Sequence, residues 1–286
     1  MLNKILIPTD FSPKSLCALE MACTIAMRSK AKIELLYIVE IALSLKQDHR
    51  GRYISTVPAA QAFVDQVYQT AFARLIQQRE LVSQYPVDIE LKVEMHNDPS
   101  KLVSFLVQHD YDLLILGGKT IRKYDELFES TQRELLTEFS KFPIMAINQE
   151  MQHYRLKKLL LTTNFQQDLS KVIKWIKDFR HLLEAQLYIL YVNTPTHFLS
   201  SREIQIKSKE FVRKYGLEKA ELVLYNDRRE RFGILNYADD IDADLIITFT
   251  NNTQRIHRIL KGNLTEDLVN HSLRPVLTFN LKRLAD

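Results

Sequence analysis

Short, nearly continuous apolar runs alternate along this chain with longer stretches whose apolar residues recur at helical spacing. That is the pattern of strands separated by helices. Lys4-Ile5-Leu6-Ile7-Pro8-Thr9, stopped by Pro8 and Asp10, reads as a buried strand. Ser12-Pro13 then offers an N-cap followed by proline at the first helical position. Leu16, Leu19, Cys23, Ile25 and Met27 carry a mostly apolar helix to about Ser29. Lys32 to Val39 predicts a second strand, Gln47 to Ser55 a polar loop, and Pro58 to Val82 a long helix. A third strand is expected from Pro86-Val87 through VDIELKVEM, and Asn97-Asp98-Pro99 is expected to start a helix ending near His109. Asp112 to Leu116 predicts a strand running into Gly117-Gly118, then a helix from about Asp125 to Lys141, then a closing strand, Pro143-Ile144-Met145-Ala146-Ile147.

The same order returns. Leu159 to Phe165 matches Ile5 to Phe11 position by position, and Gln186 to Val192 matches the second strand. Asp244 to Phe249 matches Asp112 to Gly117, and Leu273 to Phe279 matches Lys141 to Ile147. Matching positions are offset by 154 residues at the first strand and by 132 at the last two. The second copy is therefore 22 residues shorter, mostly between its second and third strands. A repeat of this length is a duplicated domain, with boundaries expected at 1–150 and 151–286.

Strands spaced by helices imply an α/β fold: two tandem doubly wound domains, each a five-stranded parallel sheet with helices on both faces. Near-continuous apolar strands fit burial on both faces. Ligands of such sheets sit beyond the carboxyl ends of the strands, so the loops after strands one, two and four of each copy are where a site belongs.

Composition narrows the classes. The apolar fraction is 46% and the charged fraction 26%, ordinary for a globular protein and against disorder. A net charge of +4 over 286 residues, with acids interrupting runs such as Arg228-Arg229-Glu230-Arg231, does not suggest nucleic acid as a partner. No run reaches the length of about 18 apolar residues of a membrane span, and no leader pattern opens the chain, so membrane is not an expected partner and the expected location is cytoplasmic. Cys17 and Cys23 share one helix about 120° apart around its axis, which predicts reduced core fillers.

The opening KILIPTDFS, the YIVE that ends the second strand, and the closing helix-x-Pro-apolar strand, all in the same order twice, resemble the universal stress protein family over nearly the whole chain. The resemblance implies an adenine-nucleotide α-hydrolase-like fold. It also implies where a nucleotide would bind. Nucleotide-binding members carry, after strand four, glycine, two residues, glycine, nine residues, then glycine with serine or threonine. Glycines let backbone N–H groups approach phosphate beside a helix N-terminus. Here Gly117 matches the first glycine, Thr120 and Ser130 replace the second and third, and Thr131 keeps the hydroxyl. Asp10 matches the family's adenine-side acid, and Lys119, Arg122 and Lys123 add positive charge to the loop. In the second copy Phe249 and Asn252 stand at the first two glycines, Gly262 keeps the third, Asn263 replaces the hydroxyl and Asn164 the acid. Each first-copy match also has a plain reading: Gly117-Gly118 as a tight turn, Asp10 as a helix-start acid, Thr131 as an ordinary helix residue.

Other constellations are poor. His96, near a strand end within reach of the ligand cleft, reads as a solvated loop histidine, and His257 and His271 lack metal-ligand spacing. Asp239, Asp240, Asp242 and Asp244 lack the calcium-loop pattern and read as a helix end entering a strand. Trp175 reads as packing. The expectation is a stress-response protein, not an enzyme, that acts by partner binding or small-ligand sensing through degenerate nucleotide sites. The alternative is an ATP-binding member using the first-copy site, with or without slow hydrolysis or autophosphorylation. An enzyme of another class on the related fold lacks its motif. ATP or another adenine nucleotide in the first copy is the one cofactor the resemblance admits. Expected partners are other proteins, a pseudo-dimer of the two copies through the closing strands, and a further copy of the chain.

Overall fold

In the computed structural model of this chain, residues 2–42, 45–96, 109–117, 141–147, 155–250, 264, 268 and 272–281 are described. The helices expected over 97–109 and 125–141 lie outside the described residues, but for His109 and Lys141, neither of which is helical. The chain forms two compact units, one Leu2–Phe139 and the other chiefly Ser140–Asp286.

The first unit contains β1 (Lys4–Thr9), α1 (Pro13–Ser29), β2 (Lys32–Glu40), β3 (Leu45–Gln47), β4 (Tyr53–Ser55), α2 (Gln61–Glu80), β5 (Ile89–His96) and β6 (Leu113–Gly117). Its main strands lie in the order β6-β1-β2-β5 and pair parallel. Ser12 caps α1 by accepting the Ser15 N–H at 3.2 Å, and Lys30 ends the helix in the left-handed conformation. Ile5, Ile7, Leu19, Met21, Ala22 and Ile25 are fully buried between sheet and helix, which is where the hydrophobic stabilisation of this unit resides. The Asp112 carboxylate accepts the backbone N–H groups of Asn3 at 2.6 Å and Lys4 at 2.9 Å, tying the start of β6 to that of β1.

Three local expectations are corrected. The polar segment after β2 contains a β3–β4 hairpin. Tyr53 of this hairpin donates its hydroxyl to Glu94 at 2.7 Å and accepts the Met95 N–H at 3.0 Å. Alternation over three residues is too short a signal for a strand. The long helix starts at Gln61, after a 3-10 turn over Pro58–Ala60, and the third strand starts at Ile89.

The second unit contains β7 (Ile144–Ile147), β8 (Lys158–Thr162), α3 (Ile173–Leu183), β9 (Gln186–Asn193), α4 (Ser201–Tyr215), β10 (Glu221–Asn226), α5 (Glu230–Asp240), β11 (Leu245–Thr250) and β12 (Val276–Asn280). The order is β10-β9-β8-β11-β12-β7. Five strands are parallel, and β7 joins β12 antiparallel, Leu277 facing Met145. So β7, which closes the first copy in sequence, is built into the second compact unit. On one sheet face Phe211 of α4 meets Phe165, which stacks on Tyr191, and Trp175 of α3 meets Phe279. On the other, Ile234 and Ala238 of α5 pack on Leu160, Leu190, Val192 and Ile246. Trp175, stacked on Phe179 at 4.7 Å, is thus a packing residue. Asp244 repeats the role of Asp112: it accepts the N–H groups of Lys157 at 2.7 Å and Lys158 at 2.8 Å.

Ile144 and Val276 are 4% and 0% exposed in the β7–β12 ladder region. Replacing either with lysine buries an unpaired charge and is expected to lower stability by about 3 kcal/mol or more. Leu273→Lys, at an exposed site, is expected to leave stability unchanged. Urea unfolding monitored by circular dichroism measures all three.

Candidate functional site

The carboxyl ends of β1 and β2 and the facing side of α2 shape the candidate site in the first unit. After β1 the chain turns sharply. Phe11 is left-handed, at φ 63°, with its N–H bonded to the Thr9 hydroxyl at 3.0 Å. Asp10 accepts the Ser12 N–H on Oδ1 at 2.9 Å. Beneath the turn the Thr9 hydroxyl, buried, lies 3.0 Å from the Ser15 hydroxyl and 2.7 Å from Gln78 Oε1, so β1, α1 and α2 meet at one point. The strained Phe11 conformation swings its ring out against Tyr37, edge to face at 4.5 Å between centroids. The Arg74 guanidinium lies 4.0 Å over the Phe11 ring and 5.8 Å from that of Tyr37, a cation on an aromatic surface.

Beside this stack opens a cleft of about 290 Å³. Tyr37 and Val39 of β2 line it from the sheet, and Phe63, Gln66, Val67, Thr70, Ala71 and Arg74 of α2 from the helix. The YIVE motif marks the end of β2 in the sequence, and no motif marks Arg74. A signal existed: Val64, Ala71, Leu75 and Gln78 form the buried stripe of α2, and Arg74 borders it at helical spacing.

Of the residues expected at the nucleotide site, the structure describes Asp10 and Gly117. They sit at the carboxyl ends of β1 and β6, which pair directly. Lys119, Thr120, Ser130 and Thr131, with Arg122 and Lys123, lie outside the described residues, as do Asn252, Gly262 and Asn263. Gly117 has a reason of its own: a Cβ there would fall 2.3 Å from the Lys14 carbonyl oxygen and 2.6 Å from the Ser15 nitrogen. The start of α1 presses on this strand end so closely that only glycine fits.

The second unit keeps the turn and changes the contact. Phe165 is left-handed at φ 61°, its N–H on the Thr163 hydroxyl, and Asn164 accepts the Gln166 N–H. Phe249 stands where the repeat has Gly117. Its ring stacks on Phe279, which meets Trp175 in the first turn of α3. The left-handed helix ends Lys30 and Glu184 keep the repeat offset, yet α3 begins at Ile173 where the register of α1 would begin it at Gln167. At this strand end the first unit has a helix start against Gly117, and the second has Phe249 stacked on Phe279.

Polar clusters elsewhere are internally paired. Lys4 meets Glu34 at 2.6 Å, Tyr111 donates to Glu34 at 2.6 Å, and Lys92 meets Glu94 at 3.5 Å. Burial first, and Glu34 second, push the Tyr111 hydroxyl well above its usual range. Arg274 pairs with Asp239 and Asp242, so with Asp244 bonded to β8 that acidic run is a helix end and strand entry. Among the described residues no cluster of histidine, cysteine or carboxylate groups has the makings of a metal site. Cys17 and Cys23 are free and buried, and burial pushes the Cys23 thiol up to about 12, which makes it a poor nucleophile. Among the described residues no helix is long and apolar enough to cross a membrane.

The model of the universal stress protein family matches residues 1–147 and again 155–280. Among solved structures, a universal stress protein from Archaeoglobus fulgidus is 16% identical, with 98% of this chain and 99% of that one covered and a TM-score of 0.70. A functionally unknown protein from Pseudomonas aeruginosa is 13% identical, with 98% and 93% covered and a TM-score of 0.61. At these identities the likeness is one of fold. A search of curated proteins found no match.

Gly117→Ala is expected to destabilise the first unit by about 1–3 kcal/mol, the usual cost of forcing atoms into a packed site; the urea midpoint reads it, and an unchanged midpoint would show the close approach to be soft. In the second unit, burial raises the Glu230 carboxyl above its usual 4.5, with His197 opposing. A raised carboxylate pKa penalises folding above the folded-state value, and the penalty fades as pH falls and the group protonates. Glu230→Gln is therefore expected to stabilise the protein at pH 7 and to lose that advantage below about pH 4.5, as followed by melting temperature across a pH series.

Proposed function

This chain belongs to the universal stress protein family, and from that premise we propose that it is a non-catalytic stress-response protein whose first copy receives a small anionic ligand of the adenine-nucleotide class. The observation that carries the reading is the cleft at the carboxyl end of β2, beside the Asp10–Phe11 turn, with the Arg74 cation held on an aromatic platform at its rim. A guanidinium stacked by its face leaves its N–H edge for a phosphate. Among the described residues Arg74 forms no ion pair that would occupy that edge. Asp10 uses Oδ1 in the turn, which leaves Oδ2 for a ligand hydroxyl or amine. The resemblance adds Gly117, Lys119, Thr120, Ser130 and Thr131 as the phosphate side of the same site.

The second copy is proposed to bind no nucleotide. Its acid is Asn164, and Phe249, stacked on Phe279, stands where a free strand end is needed. The two copies are proposed to act together as a pseudo-dimer through their closing strands, and binding in the first copy is read out by a protein partner.

Two measurements test this. Native protein is extracted and any carried nucleotide identified by mass spectrometry. ATP is then titrated calorimetrically into wild type, Asp10→Ala, Arg74→Ala and Asn164→Ala. A lost hydrogen bond to a charged group is worth about 1.5–3 kcal/mol, so affinity is expected to fall about ten-fold or more in the first two variants. Asn164→Ala is expected to match wild type. Affinity that falls only in Asn164→Ala moves the site to the second copy, and wild type that binds nothing leaves partner binding without a nucleotide.

A further inference from the structure

We propose that the outer edge of β10 pairs antiparallel with the same edge of a second copy of this chain, about a two-fold axis through Val223. Among the described residues β10 ends its sheet, with β9 on its inner side. The Asp227 N–H donates to the Asn193 carbonyl at 3.2 Å, which fixes the parity of the ladder. In a parallel pair alternate residues bond inward, so the backbone groups of Leu222, Leu224 and Asn226 turn outward. The side chains of Leu222 and Leu224 are 41% and 43% exposed. From Leu222 to Asn226 the strand carries no charge and no proline, the usual guards of a free edge.

The corresponding edge of the first unit is guarded. There β5 bears Glu90, Lys92 and Glu94, and its outward-turned Met95 N–H is taken by Tyr53 of the β3–β4 hairpin. The second copy, shorter by 22 residues in this region, goes directly from β9 through a 3-10 turn to α4 and has no such hairpin among the described residues. The same strand position is thus covered in one copy and left with an apolar, hydrogen-bonding edge in the other.

Charge selects both occupant and register. With the axis at Val223, Leu222 faces Leu224 of the second copy in a hydrogen-bonded pair, and Val223 faces Val223 in a non-hydrogen-bonded one. Glu221 falls opposite the hydroxyl-bearing Tyr225. Lys219, exposed in the turn before the strand, falls towards Asp227 just beyond it. An axis through Leu224 would instead set Glu221 against Asp227, and like charges directly opposed are unfavourable. The strand is complementary to itself in the first register, which is what an isologous contact requires.

A non-hydrogen-bonded pair brings Cα atoms to about 4.5 Å, within disulfide reach. Val223→Cys is therefore expected to give a covalent dimer under mild oxidation, seen on a non-reducing gel. Leu224→Cys, offset from its counterpart, is expected to give none, and the native cysteines are buried. In the otherwise unaltered chain, Leu224→Lys is expected to weaken the dimer about ten-fold or more in sedimentation velocity. Leu224 is exposed, so this variant keeps the fold if Val223→Cys does not. A monomeric wild type, a dimer indifferent to Leu224→Lys, or cross-linking through Leu224→Cys but not Val223→Cys overturns the proposal.

Discussion

The closeness of α1 to the end of β6 is the constraint on which the rest of the first unit depends. Without a side chain at Gly117, the Lys14 carbonyl and Ser15 nitrogen reach the strand, and α1 begins at once after the capped turn at Ser12. That start holds Ser15 beside Thr9 and Gln78, which draws α2 to the same strand end. Arg74, one turn before Gln78, is thereby set over Phe11, and the cleft beneath β2 follows. The second unit shows the alternative solution. Phe249 stands at the strand end with its ring stacked on Phe279, the helix begins at Ile173, and Trp175 meets both Phe279 and Phe179. One duplicated plan accommodates a helix terminus in one copy and an aromatic cluster in the other.

The duplication is conserved in its backbone and divergent in its surfaces. Asp112 and Asp244 make the same pair of bonds to the first strand of their copies, and Phe11 and Phe165 adopt the same left-handed turn. These are backbone requirements, which any side-chain change nearby leaves in force. By contrast, the position of Glu34 in β2 is Tyr188 in β9, so a sheet face that carries Lys4, Glu34 and Tyr111 in one unit belongs to an apolar cluster in the other. The outer edge differs in the same way, guarded by Tyr53 in the first unit and apolar in β10.

The amino-acid sequence by itself determined the buried parallel strands, the duplication and the parallel α/β class, because buried parallel strands must be apolar along their length and Ile5-Leu6-Ile7, Leu114-Ile115-Leu116, Leu159-Leu160-Leu161 and Ile246-Ile247 are. It also marked Asp10 and Gly117 as residues of the strand ends. Tertiary structure alone decided what Gly117 touches, since its nearest partner, Lys14, is distant in sequence and contributes backbone atoms that no residue pattern reports. It decided that β7 adds antiparallel to β12, a choice of edge that local propensity does not encode. It also decided that Arg74 stands over Phe11 and that Tyr53 closes the β5 edge, while among the described residues no strand pairs with the outer edge of β10. A sequence records which faces are apolar; which of them finds a neighbour is settled by packing between segments far apart along the chain.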